Sequence, residues 1–293
     1  MMMKLGVFIG LILTCCFATE LQAQKVFKNI KKHSTAKNTL WGYWGYNRSV
    51  YSKSDITFRG RGYDFTLKGS RASDNPSKKF SEYVDLAKIT VPQFNARVGY
   101  YYKDHYSISL GYDHMKYLFN DANDVLIDGY VNPGIDSTWS GIYQDARTVT
   151  NRKNFHYENS NGLNYIRFEL TRSDKFYQSK NKWVALVSNF SLGTGCVLTI
   201  SDFNFAGKFD RYVASISGYG FSGHVSLRLE FFRHFFIQPE LSGGRINLSK
   251  VHLRKDDDSA VASHKFWYGQ RNITAGFLLY LKPQSGCQDC PVW

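Results

Sequence analysis

The chain has 293 residues with 22 Phe, 20 Tyr and 6 Trp, only 6 Pro, and 37 Lys plus Arg against 24 Asp plus Glu, a formal net charge of +13. That composition excludes a disordered tail, a collagen-like chain and a coiled coil. Aromatic residues at 16% alongside 24 Gly form the mixture expected where strands meet a lipid interface.

In chain order, residues 1–23 read as a signal peptide. Lys4 precedes an apolar run from Leu5 to Ala18 that is too short to cross a bilayer, and Leu21-Gln22-Ala23 offers a cleavage site before Gln24. Cys15 and Cys16 raise a lipoprotein signal as the alternative, but the residues before them are not the small set it needs. Residues 24–40 are expected to form a periplasmic lead, residues 41–282 a barrel, and residues 283–293 a periplasmic tail. No later window approaches the ~20 apolar residues of a membrane helix.

What the chain offers instead is alternation with a period of two, the mark of a strand with one apolar face. Tyr106, Ile108, Leu110 and Tyr112 alternate with Ser107, Ser109, Gly111 and Asp113, and Ile166, Phe168 and Leu170 with Arg167, Glu169 and Thr171. The same split recurs from Phe94 to Tyr100, from Val225 to Phe231, from Phe235 to Leu241 and from Ile273 to Leu281. A soluble lipocalin-like barrel also alternates, with its apolar face inside. Here the polar positions are mostly Ser, Gly, Asn and Thr with a few Arg and Glu, and mid-strand Lys is scarce. A narrow lumen holds such residues, whereas a solvated outer face favours Lys and Glu, so the apolar face is read as pointing outward to lipid.

Loop lengths give the topology. Short turns at Lys103-Asp104 and Arg233-His234 and a medium one from Ser173 to Lys182 alternate with long connections near residues 70–92, 120–158, 199–218 and 250–264. Outer-membrane barrels have short periplasmic turns and long external loops, so seven connections join eight strands with both termini in the periplasm. The strands are expected at 41–67, 93–102, 105–119, 160–172, 182–197, 219–232, 234–249 and 265–282. The first is read as one long bent strand with a bulge at Gly60 and Gly62; a lead followed by a shorter strand is the alternative. Trp41, Tyr43, Trp44 and Tyr46 would supply an aromatic girdle at the inner interface.

In its signal peptide, alternating strands and four long loops the chain resembles small outer-membrane barrels of the OmpA/OmpX-like class. The resemblance implies an all-β, antiparallel up-and-down transmembrane barrel in a Gram-negative cell envelope and carries no activity. An eight-stranded barrel is just wide enough to be filled by side chains. Asp64, Arg97, Asp113, Arg167, Glu169, Arg228, Glu230 and Glu240 are therefore expected to form an ion network that plugs the lumen, with a narrow channel as the alternative.

One local constellation suggests chemistry. His156, Glu158 and Ser160 share lipid-facing parity at the external start of a strand, and Asp113-His114 ends the strand before it. A Ser activated by His and oriented by a carboxylate is the recipe for ester cleavage. The segment resembles the His-x-Ser-Asn stretch of outer-membrane lipid A deacylases: His156 and Asn159 fit, but Glu158 stands where that resemblance requires the nucleophilic Ser. The competing reading is a set of rim residues bonded to one another and to lipid headgroups.

Arg147, Arg152 and Lys153, with Lys250, Arg254 and Lys255, are candidates to meet lipopolysaccharide phosphates, and Asp256-Asp257-Asp258 to meet a divalent cation, although no dedicated metal-site pattern is present. Cys287 and Cys290 suit a local disulfide in an oxidising periplasm, and Cys196 is expected to face lipid. No cofactor, metal or nucleic-acid partner is expected, and the chain reads as a monomer. The loop from Asn120 to Glu158, with Tyr130, Trp139 and Tyr143, is too long for a connector and is expected to meet an extracellular protein or surface ligand. The function expected is surface adhesion, binding or envelope integrity, with the lipid A esterase and the channel as rivals.

Overall fold

The computed structural model describes residues 37–281, apart from positions 78, 80, 86, 89 and 90. The expected signal peptide, most of the expected N-terminal lead and the disulfide expected between Cys287 and Cys290 lie outside the described residues. The strands are β1 (Thr39–Tyr51), β2 (Ser54–Gly60), β3 (Tyr63–Ser70), β4 (Ala72–Ser73), β5 (Phe94–Lys103), β6 (Tyr106–Phe119) and β7 (Asp124–Val131). They continue with β8 (Gly141–Val149), β9 (Phe155–Gln178), β10 (Val184–Phe205), β11 (Lys208–Phe231), β12 (Phe235–His252) and β13 (Val261–Tyr280), and a single helical turn, α1 (Ser81–Val84), precedes β5.

Eight strands close a ring in the order β1, β5, β6, β9, β10, β11, β12, β13, with β13 pairing back onto β1 and every pair antiparallel. Direct cross-strand partners run from Leu40 through Tyr100, Ile108, Leu170, Leu192, Gly223, Gly243 and Gly269 and return to β1 at Val50, a stagger of ten residues (50 − 40). Such a stagger in a ring this small tilts the strands by about 40°, so each residue climbs about 2.5 Å along the barrel axis. An apolar band about 25 Å tall needs only about ten residues per strand. At 24, 22 and 24 residues, β9, β10 and β11 rise far beyond it.

The pleat sorts the side chains as alternation predicts. Val98, Ile108, Leu110, Phe168, Leu170, Phe190, Leu192, Val225, Leu241, Ile273 and Phe277 are exposed on the outside, as is Cys196. Ser107, Ser109, Asp113, Arg167, Glu169, Asn189, Ser226, Arg228 and Glu240 are buried within. An exterior of this kind cannot face water without a large hydrophobic cost, which rules out the soluble, apolar-inside barrel.

Beyond the apolar band the character of the interior inverts. β2, β3, β7 and β8 form an antiparallel sheet that continues from β13, where Val261, Ala262 and Ser263 pair with Arg59, Phe58 and Thr57. Its inner face packs onto the open end of the ring in one apolar core. Ile56, Phe58, Phe65, Leu67, Ile127 and Trp139 meet Tyr117, Phe155, Tyr157, Phe203, Phe205, Leu248 and Phe266 there. Phe58 stacks on Phe203 at 5.6 Å and meets Phe155 edge-on at 5.1 Å. The barrel therefore carries a folded cap.

Several sequence expectations change accordingly. Residues 41–67 are not one barrel strand. The first strand follows β13 to Tyr51, is interrupted at Ser52 and Lys53, and resumes beside β13 as β2 with its register shifted by one. Gly62, at φ 84°, supplies the tight turn into β3 rather than a bulge. Residues 199–218 are not a loop: β10 and β11 pair through most of this stretch, as far as Phe205 and Lys208. The 120–158 connection contains β7 and β8, and Trp139, only 7% exposed, belongs to the cap core with Tyr143 packed beside it. Trp41 and Tyr43 are buried in the lumen and leave Trp44 and Tyr46 as the outward members of the expected girdle.

Replacing Phe155, which is 1% exposed, by Ala removes the centre of the cap core and is expected to cost about 3–5 kcal/mol there. Limited proteolysis of the protein in liposomes should then cut residues 54–73 and 124–149 while heat-modifiable gel migration persists. A cap as resistant as the parent's would refute a shared core.

Candidate functional site

Two regions gather polar side chains: the lumen and the outer rim. In the lumen, neighbouring strands project their inward residues into one cluster. Arg97 on β5 pairs with Glu169 on β9, and Arg167 on β9 pairs with Asp113 on β6. Arg97 Nη2 also lies 3.6 Å from Asp113 Oδ1, and Arg167 Nε 3.5 Å from Glu169 Oε2. Across the lumen, His224 Nδ1 on β11 is 3.1 Å from Glu240 Oε1 on β12, and its Nε2 is 3.6 Å from Glu169 Oε1. Asn272 donates to Glu240 at 2.9 Å and Asn95 to Asp113 at 2.6 Å.

Nearer the periplasmic end, Arg228 donates to the Tyr101 hydroxyl at 2.8 Å and lies 3.1 Å from Glu230, which Lys175 approaches to 3.4 Å. Arg97, Arg167, Lys175 and Arg228 thus face Asp113, Glu169, Glu230 and Glu240, four charges of each sign. Balance matters because an unpaired buried charge costs several kcal/mol. Gly111 makes room for this packing: a Cβ there would stand 2.8 Å from Arg97 Nη2. Beside the cluster lies a cavity of ≈ 20 Å³, about enough for a single water.

Seven of the eight residues expected in the lumen are therefore there. Asp64 is not: it lies on β3 in the cap, where its half-exposed carboxylate accepts from Arg59 Nε at 3.0 Å. An inward Asp64 requires residues 41–67 to run as one barrel strand, and they do not. His224 and Lys175 join the cluster beyond the residues expected from sequence; His224 shares the parity of Arg228, the signal that marks it as inward.

At the rim, His156, Glu158 and Ser160 come together on one side of β9. Ser160 Oγ donates to Glu158 Oε2 at 3.3 Å, and His156 Nε2 lies 3.3 Å from the same oxygen. The carboxylate thus stands between hydroxyl and imidazole, whereas a nucleophilic Ser needs the imidazole at its own oxygen. His114 is elsewhere, opposite Asn164 with its Nδ1 2.7 Å from Asn164 Oδ1, and Asp113 points into the lumen. Ser160 and His156 also lie six and ten residues beyond Ile166, about 15 and 25 Å further out at this tilt. Asn75 from the 70–92 segment covers Ser160, donating to it at 3.4 Å.

Among the loop charges, Arg147 forms a double hydrogen bond with Asp124, and Arg254 is buried, donating to Phe205 O, Lys208 O and Asp210. Asp256 accepts from Lys208, which holds its carboxyl below the usual carboxylate range, and Asp257 caps Ser259 beside Arg61. These acids are engaged by cations and backbone of the chain itself, and among the described residues no cluster of metal-ligating side chains occurs.

Removing one partner of the lumen cluster should be severe. Arg167→Met leaves Asp113 short of its cation and is expected to cost about 3–5 kcal/mol, measured by denaturant unfolding in liposomes. Adding Asp113→Asn to that variant should restore part of the loss, and a double variant less stable than the single would contradict the pairing. At the rim, His156→Ala and Ser160→Ala are expected to leave the lipid A profile of the expressing cells unchanged, as read by mass spectrometry of extracted lipid.

No protein-family model matches the chain, and no curated protein matches it. Solved structures with a similar course include Ail, the attachment invasion locus protein of Yersinia pestis, at 11% identity and TM-score 0.30 over 83% of this chain and 100% of that one. The outer membrane protein OprG from Pseudomonas aeruginosa is similar at 8% identity and TM-score 0.37, over 83% and 97%. The outer membrane protein AlkL, solved in DMPC bilayers, is similar at 10% identity and TM-score 0.34, over 88% and 99%. These likenesses concern the fold alone; the chain's own closed ring, stagger and apolar exterior define its architecture. By that architecture the protein is an eight-stranded antiparallel β-barrel of the outer-membrane type.

Proposed function

We propose that the protein is a non-conducting outer-membrane barrel whose cap serves as a rigid platform for contact with molecules outside the cell, in adhesion or binding. The observation that carries this reading is the double closure of the interior. A charge-balanced polar cluster fills the membrane zone, and an apolar aromatic core fills the zone above it. A solute path would have to breach both. The chain instead places β2, β3, β7 and β8 and the upper parts of β9, β10 and β11 outside the membrane as ordered structure.

The outer face of the cap supports a binding role. Tyr130 on β7 stands directly opposite Ile142 on β8, and they are 44% and 85% exposed. Charges of both signs flank them, with Lys68 Nζ 3.3 Å from Asp128 and 2.6 Å from Asp145. An exposed aromatic–aliphatic pair on a rigid sheet with a polar surround is the composition of a contact centre.

Two measurements test the reading. Planar bilayers containing the purified protein should show no steady conductance, and a stable ohmic pore would overturn the closed lumen. Cells displaying the protein should be retained on a panel of immobilised extracellular-matrix proteins. Tyr130→Ser with Ile142→Ser should lower that retention about tenfold at equal surface amount. Retention independent of the cap would sink the platform role.

A further inference from the structure

The outer surface of β12, β13 and β1 carries a feature that neither the filled lumen nor the cap explains. Upward along β12 the outward residues are Phe235, Ile237, Pro239, Leu241 and Gly243, and then Arg245. Along β13 they are Leu279, Phe277, Ala275 and Ile273, and then Arg271, Gly269, Trp267 and Lys265. On both strands the apolar series thus gives way to cations at the external edge of the band. Arg271 lies beside Leu241, Trp267 beside Arg245 and Lys265 beside Asn247, so the three cations form a column on two adjoining strands, with Arg271 and Lys265 about 15 Å apart in height and Arg245 between them.

Their charges are uncompensated. Among the described residues no carboxylate lies within ion-pair distance of Arg245, Lys265 or Arg271, in contrast to Arg147, Lys208 and Arg254, each of which has an acid. Arg271 is moreover directly opposite Arg48 on β1, and like charges facing each other across strands are destabilising. Arg48 turns aside, donating to Asn47 O at 2.7 Å and to the Tyr83 hydroxyl, and leaves Arg271 alone at the surface. Trp267, 60% exposed, carries the Arg245 guanidinium 5.6 Å from its ring centre. An exposed indole at the end of an apolar band is the placement favoured at a membrane–water boundary.

We propose that Arg245, Lys265 and Arg271, arranged around Trp267, bind the phosphate groups of a phosphorylated lipid headgroup in the outer leaflet. The inference rests on the outer-membrane reading and assigns to that surface a specific lipid chemistry. The position selects a lipid over a free anion: the patch continues directly from Leu241 and Ile273, so acyl chains against those residues place their headgroup among the cations. Arg and Lys near a membrane surface reach the boundary by extending along their aliphatic stems, and guanidinium groups bind phosphate in a bidentate fork.

The test uses the purified full chain in detergent micelles, with native mass spectrometry reading the bound lipid. The probes are phosphorylated lipid A and the same lipid dephosphorylated. The parent should bind the phosphorylated form preferentially. The combined variant Arg245→Gln, Lys265→Gln, Arg271→Gln should lose that affinity by on the order of a hundredfold, and each single substitution by about fivefold. A control that removes the same charge from the cap, Arg59→Gln, Arg61→Gln, Arg71→Gln, should bind as the parent does. Equal binding by the patch variant and the control, or equal binding of the two lipid forms, would overturn the proposal. Displacement by millimolar inorganic phosphate would assign the site to a free anion and also overturn it. Heat-modifiable migration verifies the fold of each variant, and the single substitutions decide the matter where the combined one misfolds. A parent that fails to insert into lipid vesicles would instead defeat the outer-membrane reading itself.

Discussion

Closing eight tilted strands into a ring with a stagger of ten residues leaves an interior no wider than the side chains that face it. Everything inside must then be both compact and electrically satisfied. The chain meets the first demand with Ser, Thr, Asn and Gly at most inward positions, and the second by pairing Arg97 and Arg167 with Asp113 and Glu169 and by setting His224 against Glu240. Because these partners sit on β5, β6, β9, β11 and β12, the cluster ties together strands distant in sequence. Its charge balance makes the polar interior tolerable within a lipid surround.

The same narrowness changes meaning above the membrane. Once the strands pass the apolar band, no lipid covers their outer faces, and the inward positions become the natural place for apolar residues. Tyr117, Tyr157, Val197, Phe203, Leu248 and Phe266 occupy them, and β2, β3 and β7 close over the opening with Phe58, Phe65 and Ile127. The protein is thus two cores stacked on one axis, polar in the membrane and aromatic outside. The pleat that turns apolar residues out below turns them in above, and the strands carry both without a break in β9 and β10.

This inversion explains where sequence reasoning reached and where it stopped. Arg97, Arg167, Glu169, Arg228 and Glu240 were legible because they interrupt strictly alternating apolar runs, and parity alone places them. Asp64 was misplaced because residues 54–70 alternate just as a barrel strand does, and alternation says nothing about which sheet a strand joins. Trp139 and Tyr143 read as contact residues because a long polar connection hides the aromatic core they enter. At the rim, His156, Glu158 and Ser160 share one side of β9 by spacing, but they are covered rather than lipid-facing, and which of them meets which depends on rotamers that spacing does not specify. There the carboxylate took the place the imidazole needed.

The sequence by itself determined the strand type, the outward apolar faces, the even number of barrel strands and the inward charges, because each follows from a period of two and from the length of the connections. Tertiary structure alone decided that β2, β3, β7 and β8 leave the ring to build a cap, that Arg147 and Arg254 are consumed by intrachain pairs, and that Arg245, Lys265 and Arg271 have no acid partner among the described residues. Those outcomes depend on contacts between residues far apart in the chain. Local pattern sets which way a side chain points, but only the closed ring and its stagger set what it meets.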